Sequence, residues 1–178
     1  LPVRAKAGTL AIMAGGRRTV YERVRPLLEL LGTPVYIGRP GAGQITKAIS
    51  QIILGLVLAA ISEGMLLGRK AGIDLEAMME VVGAGVGGTT AMRMKGPSML
   101  RQDFAPGFYL RYHLKDLNIA MQAATDLGLA LPFPSMAREF FRVGVNMGLG
   151  QQDDSAILKV LEAVNGAGCS NRKSRQRD

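Results

Sequence analysis

Residues 41–71 read GAGQITKAISQIILGLVLAAISEGMLLGRKA and decide how the rest of the chain is arranged. The stretch contains no proline, and a Gly-x-Gly turn at its start leads into a pattern typical of one long helix. No polar side chain interrupts residues 52–61. Because a helix that is apolar on all sides is normally buried, the sequence predicts a central core helix with Lys47 near its exposed or cleft-facing end.

Lys47 is the first candidate for chemistry. Ser50 and Gln51 follow it at i+3 and i+4, so the three side chains share one face of the helix. The helix dipole disfavours an ammonium group close to the N-terminus. This position therefore favours a lysine that exchanges its proton as a general acid or base. The alternative is a surface lysine that only solvates the start of the helix.

The glycines before Lys47 do not form a known nucleotide-binding motif. A dinucleotide fingerprint needs a third glycine three residues after Gly43, where this chain has Thr46. A P-loop needs four residues between its glycines and then Lys-Ser or Lys-Thr. The turn is therefore not predicted to be the pyrophosphate site of a Rossmann fold.

The chain before this turn reads as the last part of an α/β domain. Residues 8–16 and 33–38 are short apolar runs that predict strands, and residues 17–31 between them have helical periodicity. Pro26 is expected to kink that helix or to end its first half. A single β-α-β unit is too small a sheet to stand alone. We therefore expect residues 1–38 to be the C-terminal remnant of a truncated Rossmann domain.

Residues 39–166 are predicted to form an all-helical domain around the long helix. The long helix is expected to end at Gly72, and Asp74 is expected to cap the next helix at 75–82. Capping residues and stop signals place the further helices from Thr89 or Thr90 to 94, at 110–127, at 132–147, and from Asp153 or Asp154 to about 164. Residues 167–178 have too little apolar content to fold and are expected to be a disordered basic tail. The predicted fold class is mainly α.

Two further stretches invite a functional interpretation. The glycine-rich residues 83–88 could hold a phosphate, but no Lys-Ser or Lys-Thr pair follows, and a close backbone approach or hinge is favoured. His113 is the only histidine, and Asp116 is its only candidate dyad partner. An adjacent Lys-Asp pair such as Lys115-Asp116 is usually just a solvated ion pair. A functional role for this pair stays open as the alternative.

The net charge of +8 comes from the two ends of the chain. Residues 1–30 hold six basic and two acidic side chains, residues 172–178 hold four and one, and the remainder holds 12 and 11. Basic ends could contact phosphates, but a solvated helix face and a tail are the favoured interpretation. Nucleic-acid binding would then be strongly salt-dependent and would need the tail.

Cysteine usage and hydropathy limit which further classes of protein the sequence fits. Cys169 is alone, so no disulfide within the chain is possible, and one His with one Cys does not predict a zinc site. The first residues have no apolar signal-peptide core, and the apolar run of 52–61 is shorter than the roughly 18 residues of a membrane span. A reducing, cytoplasmic location and no membrane are expected.

Several separated motifs together resemble the β-hydroxyacid dehydrogenase family, also called 3-hydroxyisobutyrate dehydrogenase-like. They are the Gly-Thr-Leu run at 8–16, the Gly-x-Gly-x-x-x-Lys pattern of residues 41–47 before a long apolar helix, and the Gly-Phe and Lys-Asp-Leu groups within 107–117. The match extends over most of residues 1–166. Lys47 with Gln51, and the Phe-x-Pro-Gly-Phe run at 104–108, resemble most the branch of 2-hydroxy-3-oxopropionate (tartronate semialdehyde) reductases.

The resemblance implies a fold and residue roles. The fold would be a Rossmann domain for NAD or NADP followed by a helical domain like that of 6-phosphogluconate dehydrogenase, and the enzyme would be a homo-oligomer through the long helix. Lys47 would be the catalytic lysine, Gln51 and Ser50 would orient a small semialdehyde or hydroxyacid, and Lys115 would reach the cofactor. Because the cofactor fingerprint is absent, the chain is expected to be a fragment with little activity alone. A non-catalytic helical interaction module is the alternative.

Overall fold

The computed structural model describes residues 5–166 of the chain. The predictions for Cys169, for residues 1–4 and for the basic tail at 167–178 lie outside the described residues. Within the described part, helices dominate and the only regular sheet has two strands. The mainly α fold class predicted from the sequence is confirmed.

A β-α-β unit opens the described chain. Strand β1 (Leu10–Gly15) and strand β2 (Gly32–Gly38) pair in parallel, and helix α1 (Arg18–Glu29) crosses between them. The Tyr21 hydroxyl donates to the Pro34 carbonyl at 3.1 Å, which attaches the helix to β2. α1 continues through Pro26 as one helix, so the expectation that this proline ends its first half is wrong.

Helix α2 is the long helix predicted from the sequence. It runs over 29 residues, Ala42–Lys70. Gly41 precedes it with a φ of 92°, and Gly72 follows it with a φ of 72°, both in the left-handed region that favours glycine. Arg69 and Lys70 occupy its last turn, where their charge complements the negative end of the dipole.

Only part of the surface of α2 is covered by the rest of the described chain. Leu58 and Met65 are fully buried, at 0% and 1% exposure, but Ile45, Ile49 and Ile53 are 40%, 50% and 58% exposed. The expectation that an apolar helix is buried on all sides is therefore wrong for this chain. The three isoleucines are four residues apart and form one stripe, which we call the isoleucine stripe.

Five further helices complete the helical part. They are α3 (Leu75–Ala84), α4 (Thr90–Leu100), α5 (Leu110–Asp126), α6 (Pro132–Asn146) and α7 (Ile157–Val164). Asp74 caps α3 and Thr89 caps α4, as predicted. α4 is longer than predicted, because it continues through Pro97 to Leu100. Asp153 caps the short 3-10 turn Asp154–Ala156 that precedes α7.

The glycine-rich residues 83–88 serve a close backbone approach. A side chain at Gly88 would collide with the main-chain carbonyl of Gly83. The favoured interpretation of this stretch is confirmed.

The helical core lies between α2 and the helices that pack on it. α4, α5, α6 and α7 all contact α2. Its largest fully buried side chains include Phe141, Leu110, Leu117, Ile157 and Leu158. Burying an aliphatic or aromatic side chain of this size contributes about 1.5–3 kcal/mol, so this cluster holds the middle of α2 in a fixed place relative to α5.

By length and composition alone, α2 could cross a membrane. This evidence is weak, because the core helix of a soluble protein passes the same test. The packing of β1 and of five other helices on α2 is what a core helix shows.

Candidate active site

An open cleft of about 590 Å³ lies between β1 and the start of α2. One wall is the side of β1, from Leu10 to Met13. The other is formed by residues of the turn and the first turns of α2, namely Gly41, Gly43, Gln44, Lys47 and Ser50. Ligands of parallel α/β sheets bind outside the carboxyl ends of the strands, and Gly15 at that end of β1 also lines the cleft.

Glycines bring the two walls together. A side chain at Gly43 would collide with the main-chain carbonyl of Met13, and one at Gly15 would lie 2.9 Å from both the Arg39 carbonyl and the Gly43 nitrogen. Real side chains do not occupy such positions without a shift of the backbone. The Gly-x-Gly turn therefore seats the start of α2 directly against β1, which agrees with the sequence argument that it is not a fingerprint for pyrophosphate.

Lys47 is exposed and lines this cleft together with Ser50. Its Nζ lies 5.8 Å from the centroid of the Phe108 ring, within the range of a cation–π interaction. Phe108 belongs to the loop before α5, so this contact joins the cleft to the helical core. The sequence argument placed Lys47 at an exposed or cleft-facing end of the helix, and the structure has it there.

Gln51 lies on the same helix but faces α5 and is only 3% exposed. Its side-chain nitrogen donates to Oδ2 of Asp116 at 3.1 Å, and the Lys115 ammonium is 2.8 Å from the other oxygen of that carboxylate. Lys115 itself is 63% exposed. The structure thus brings Gln51, Asp116 and Lys115 together, next to the cleft but not among the residues that line it.

His113 does not pair with Asp116, and the dyad considered from the sequence is wrong. Nδ1 of His113 lies 3.0 Å from Oδ2 of Asp154, and both side chains are fully buried. The Lys95 ammonium contacts Oδ1 of Asp154 at 2.9 Å and Oδ1 of Asp153 at 2.6 Å. We call Lys95, His113, Asp153 and Asp154 the ion cluster.

Asp153 anchors the loop that carries Phe108. Its Oδ2 accepts from the main-chain N–H groups of Gly107 at 2.9 Å and Phe108 at 3.2 Å, and its Oδ1 accepts from the Ser155 hydroxyl at 2.6 Å. Burial alone would raise the pKa of Asp153, but the hydrogen bonds from Lys95 and Ser155 outweigh it and hold that pKa well below its usual range.

Lys95 is the cation that balances this pair of carboxylates. Burial alone would lower the pKa of Lys95, but the charges of Asp154 and Asp153 outweigh it and raise that pKa above its usual value. Lys95 therefore stays an ammonium throughout the physiological range.

The sequence reading missed the ion cluster as a unit. The sequence identifies Asp153 and Asp154 only as helix caps, and it gives no signal for Lys95 in the middle of α4. The single available signal was an acidic pair directly before the apolar residues 157–161. Such a pair does not reveal partners 41 and 59 residues away along the chain.

The β-α-β unit followed by helices packed on one long helix matches a class of protein: oxidoreductases that join a dinucleotide-binding α/β domain to a helical domain. A family model described as NAD-binding of NADP-dependent 3-hydroxyisobutyrate dehydrogenase matches residues 41–161. A second model, described as the NAD binding domain of 6-phosphogluconate dehydrogenase, matches residues 2–38. The chain belongs to the 3-hydroxyisobutyrate dehydrogenase-like family of β-hydroxyacid dehydrogenases.

Individual relatives agree with this family. The chain is 38% identical to 2-(hydroxymethyl)glutarate dehydrogenase of Eubacterium barkeri over 93% of its length, and 39% identical to 2-hydroxy-3-oxopropionate reductase of Escherichia coli over 91%. The chain also matches the crystal structure of a 3-hydroxyisobutyrate dehydrogenase from Salmonella typhimurium. The match covers 89% of the chain, with 33% sequence identity and a TM-score of 0.82. In each case the chain spans 56% of the relative's length.

Proposed function

We propose that this chain is the substrate-side part of an NAD(P)-dependent 3-hydroxyacid dehydrogenase or semialdehyde reductase, with Lys47 as its general acid and base. The observation that supports this most is the position of Lys47. A lysine at the start of the long helix lines an open cleft next to the carboxyl end of a parallel strand. A lysine exposed elsewhere on the surface would not support a role as general acid and base.

The described residues fit one side of a dinucleotide site. Gly15, Gly41 and Gly43 line the cleft without side chains of their own, and Lys47 and Ser50 supply polar groups. In the proposed enzyme the nicotinamide supplies the hydride in reduction and accepts it in oxidation. The dinucleotide would be held mainly by a Rossmann domain of which residues 1–38 are the last part. The helical domain would comprise residues 39–166.

Lys47 would move the proton. In the direction of reduction its ammonium donates a proton to the carbonyl oxygen of the substrate, and in oxidation its amine takes the proton of the hydroxyl group. Its positive charge also stabilises the negative charge that develops on that oxygen. The contact with the Phe108 ring restricts where the ammonium can go, which favours one reacting geometry.

The neighbouring residues would orient the substrate and the cofactor. Ser50 lines the cleft, and its hydroxyl would bond a substrate oxygen. Gln51 would act with its amide held in one orientation by Asp116. Lys115 extends from α5 with most of its side chain exposed, and we propose that it reaches the cofactor or the closed site.

The substrate class follows from the relatives. Both curated relatives at 38–39% identity are named for small carboxylic acids with a hydroxyl or oxo group. We therefore propose a small 3-oxo acid such as tartronate semialdehyde. A panel of tartronate semialdehyde, 2-(hydroxymethyl)glutarate and 3-hydroxyisobutyrate, each with NAD(H) and NADP(H), identifies the pair with the highest kcat/KM.

The test of Lys47 uses the protein with its full dinucleotide-binding domain. Lys47→Ala is expected to lower kcat at least about a hundredfold, since general acid-base catalysis contributes typically that much, while the Kd for NAD(P)H stays close to wild type. Lys70→Ala, at the far end of the same helix, is the matched control and should keep full activity. Wild-type turnover by the Lys47→Ala variant contradicts the proposal.

The isoleucine stripe supports one further part of the proposal. We infer that the protein is a homo-oligomer through α2, because Ile45, Ile49 and Ile53 present an apolar face that the described chain leaves uncovered. A non-catalytic helical interaction module is the rival function. Sedimentation and NAD(P)H titration of the full protein separate the two: the module would assemble but neither bind the cofactor nor turn over.

We propose that the protein is located in the cytoplasm. Among the relatives are proteins of bacteria and plant proteins named as mitochondrial and chloroplastic, so membership of the family does not decide the compartment. Subcellular fractionation with an antibody against the chain tests it.

A further inference from the structure

His113 faces a hydrogen-bond acceptor on both sides of its ring. Nε2 lies 3.0 Å from the main-chain oxygen of Gln51, and Nδ1 lies 3.0 Å from Oδ2 of Asp154. A carbonyl oxygen only accepts, so Nε2 must carry a hydrogen. A carboxylate also only accepts, so Nδ1 carries a second hydrogen when Asp154 is ionised. These partners therefore fit an imidazolium ring.

The charges of the ion cluster balance in this protonation state. Lys95 contributes one positive charge, and Asp153 and Asp154 contribute two negative charges. With His113 as an imidazolium the buried cluster has two charges of each sign, which is the condition for burying ionised groups at tolerable cost. The ring also meets three uncharged groups: the Gln51 main chain of α2, the Phe141 ring of α6 at 4.4 Å and the Phe108 ring of the 107–108 loop at 5.9 Å.

Gly55 provides the space for this contact. A side chain at this position would lie 3.2 Å from Nε2 of His113 and 3.6 Å from the Phe141 ring. The histidine therefore reaches a main-chain carbonyl of α2 because the residue one turn later has no side chain.

We propose that His113 is a positioning residue for the reaction of Lys47: as an imidazolium held by Asp154, it fixes the main chain of α2 at Gln51, one helical turn after the catalytic lysine. This inference rests on the proposed function. His113 is buried outside the cleft and takes no part in the proposed proton and hydride transfer. Its role would be to position Lys47.

The ion cluster also reaches Lys47 by a second route. The Phe108 ring lies between His113, at 5.9 Å, and the Lys47 ammonium, at 5.8 Å. The main chain of Phe108 is held on both sides, since its N–H donates to Asp153 at 3.2 Å and its carbonyl accepts from the Asp154 N–H at 2.8 Å. The same cluster thus sets both the helix that carries Lys47 and the aromatic surface beneath its ammonium group.

The protonation state can be measured directly, because the chain has a single histidine. Nitrogen-15 NMR of the ring in the 178-residue chain is expected to show both nitrogens protonated at neutral pH. A coupling across the hydrogen bond should join Nε2 to the carbonyl carbon of Gln51. In Asp154→Asn, Nδ1 should lose its hydrogen while the coupling to Gln51 remains. A neutral ring in the wild type, or no coupling to Gln51, overturns the proposal.

Kinetics test the positioning role in the protein with its full dinucleotide-binding domain. His113→Phe keeps an aromatic ring but loses both hydrogen bonds, and kcat is expected to fall about tenfold or more with an unchanged Kd for NAD(P)H. Tyr112→Phe, the preceding residue of α5, removes only a surface hydroxyl and should retain the wild-type kcat. A folded His113→Phe variant with wild-type kcat overturns the proposal. If this variant does not fold, the coupling to Gln51 decides the question.

The two proposals fail in different ways. If Lys47→Ala keeps its turnover, the proposed function is wrong whatever the state of His113. If Lys47→Ala is inactive but His113 is neutral or dispensable, the function stands and only the positioning role is lost.

Discussion

The side-chain amide of Gln51 donates to Oδ2 of Asp116 at 3.1 Å. The main-chain oxygen of the same residue accepts from His113, and His113 and Asp116 are three residues apart on one face of α5. Helices α2 and α5 are therefore joined twice at one residue, four positions after Lys47. Through these two hydrogen bonds at Gln51, the packed helical core fixes the part of α2 that lies next to the cleft.

Gln51→Glu should destabilise the protein. The substitution places a second carboxylate against Asp116 at a position that is 3% exposed, and an unfavourable buried charge costs about 2 kcal/mol or more of unfolding free energy. Urea unfolding of the 178-residue chain at pH 7 measures it. The loss should shrink at acid pH, because protonating one carboxyl removes the repulsion. Gln44→Glu, on an exposed turn of the same helix, should change the free energy by less than about 0.5 kcal/mol.

Gly55→Ala and Gly64→Ala should have opposite effects although both glycines lie within α2. At Gly55 the added methyl group would press on His113 and Phe141, which costs about 1–3 kcal/mol. Nothing lies within 4 Å of the corresponding methyl at Gly64, so the higher helix propensity of alanine should stabilise by up to about 1 kcal/mol. Thermal and urea unfolding of the two variants give both signs. Equal effects would contradict the close contact at Gly55.

Local signals in the sequence were sufficient for most of the fold. The glycines at 41 and 72, the cap at Asp74 and the periodicity of residues 110–127 act within a few residues, so they can be identified without knowing the tertiary structure. The predictions at Pro26 and at the end of α4 are wrong, because both helices continue through a proline in their second half.

Only part of the candidate site could be predicted from such local signals. Helical spacing put Lys47, Ser50 and Gln51 on one face, but only Lys47 and Ser50 line the cleft, and Gln51 is buried against α5. Helical spacing could not pair His113 with Asp154, because that contact depends on how α5 and the turn before α7 meet across the core. Nor could it show that Ile53 is exposed, since exposure depends on which side of α2 the other helices cover.

Asp153→Asn should make stability depend less on acid pH. The folded pKa of Asp153 is depressed, so the stabilisation that its carboxylate provides is complete above the ordinary pKa of about 4 and is lost as pH falls below it. At pH 7 the variant should lose about 3–5 kcal/mol, as expected when one partner of a buried ion pair is removed. Asp126→Asn, at an exposed position on α5, is the control and should match the wild type.

The pH series distinguishes the charge from the shape of Asp153. The gap in unfolding free energy between wild type and Asp153→Asn should narrow as pH is lowered from 4 towards 2, because protonation deprives the wild type of the same carboxylate. A gap that stays constant over this range would show that Asp153 acts through packing and neutral hydrogen bonds alone.

Ile49→Lys should separate self-association from folding. Ile49 is 50% exposed in the middle of the isoleucine stripe, so a lysine there can keep its charge in water in the monomer and should change the stability by less than about 0.5 kcal/mol. At an interface between two copies of α2 the same charge would be buried without a partner, which costs several kcal/mol. Sedimentation velocity should then show a monomer where the wild type assembles. Lys70→Glu, outside the stripe, should leave the assembly unchanged, and an Ile49→Lys variant that still assembles would remove α2 as the interface.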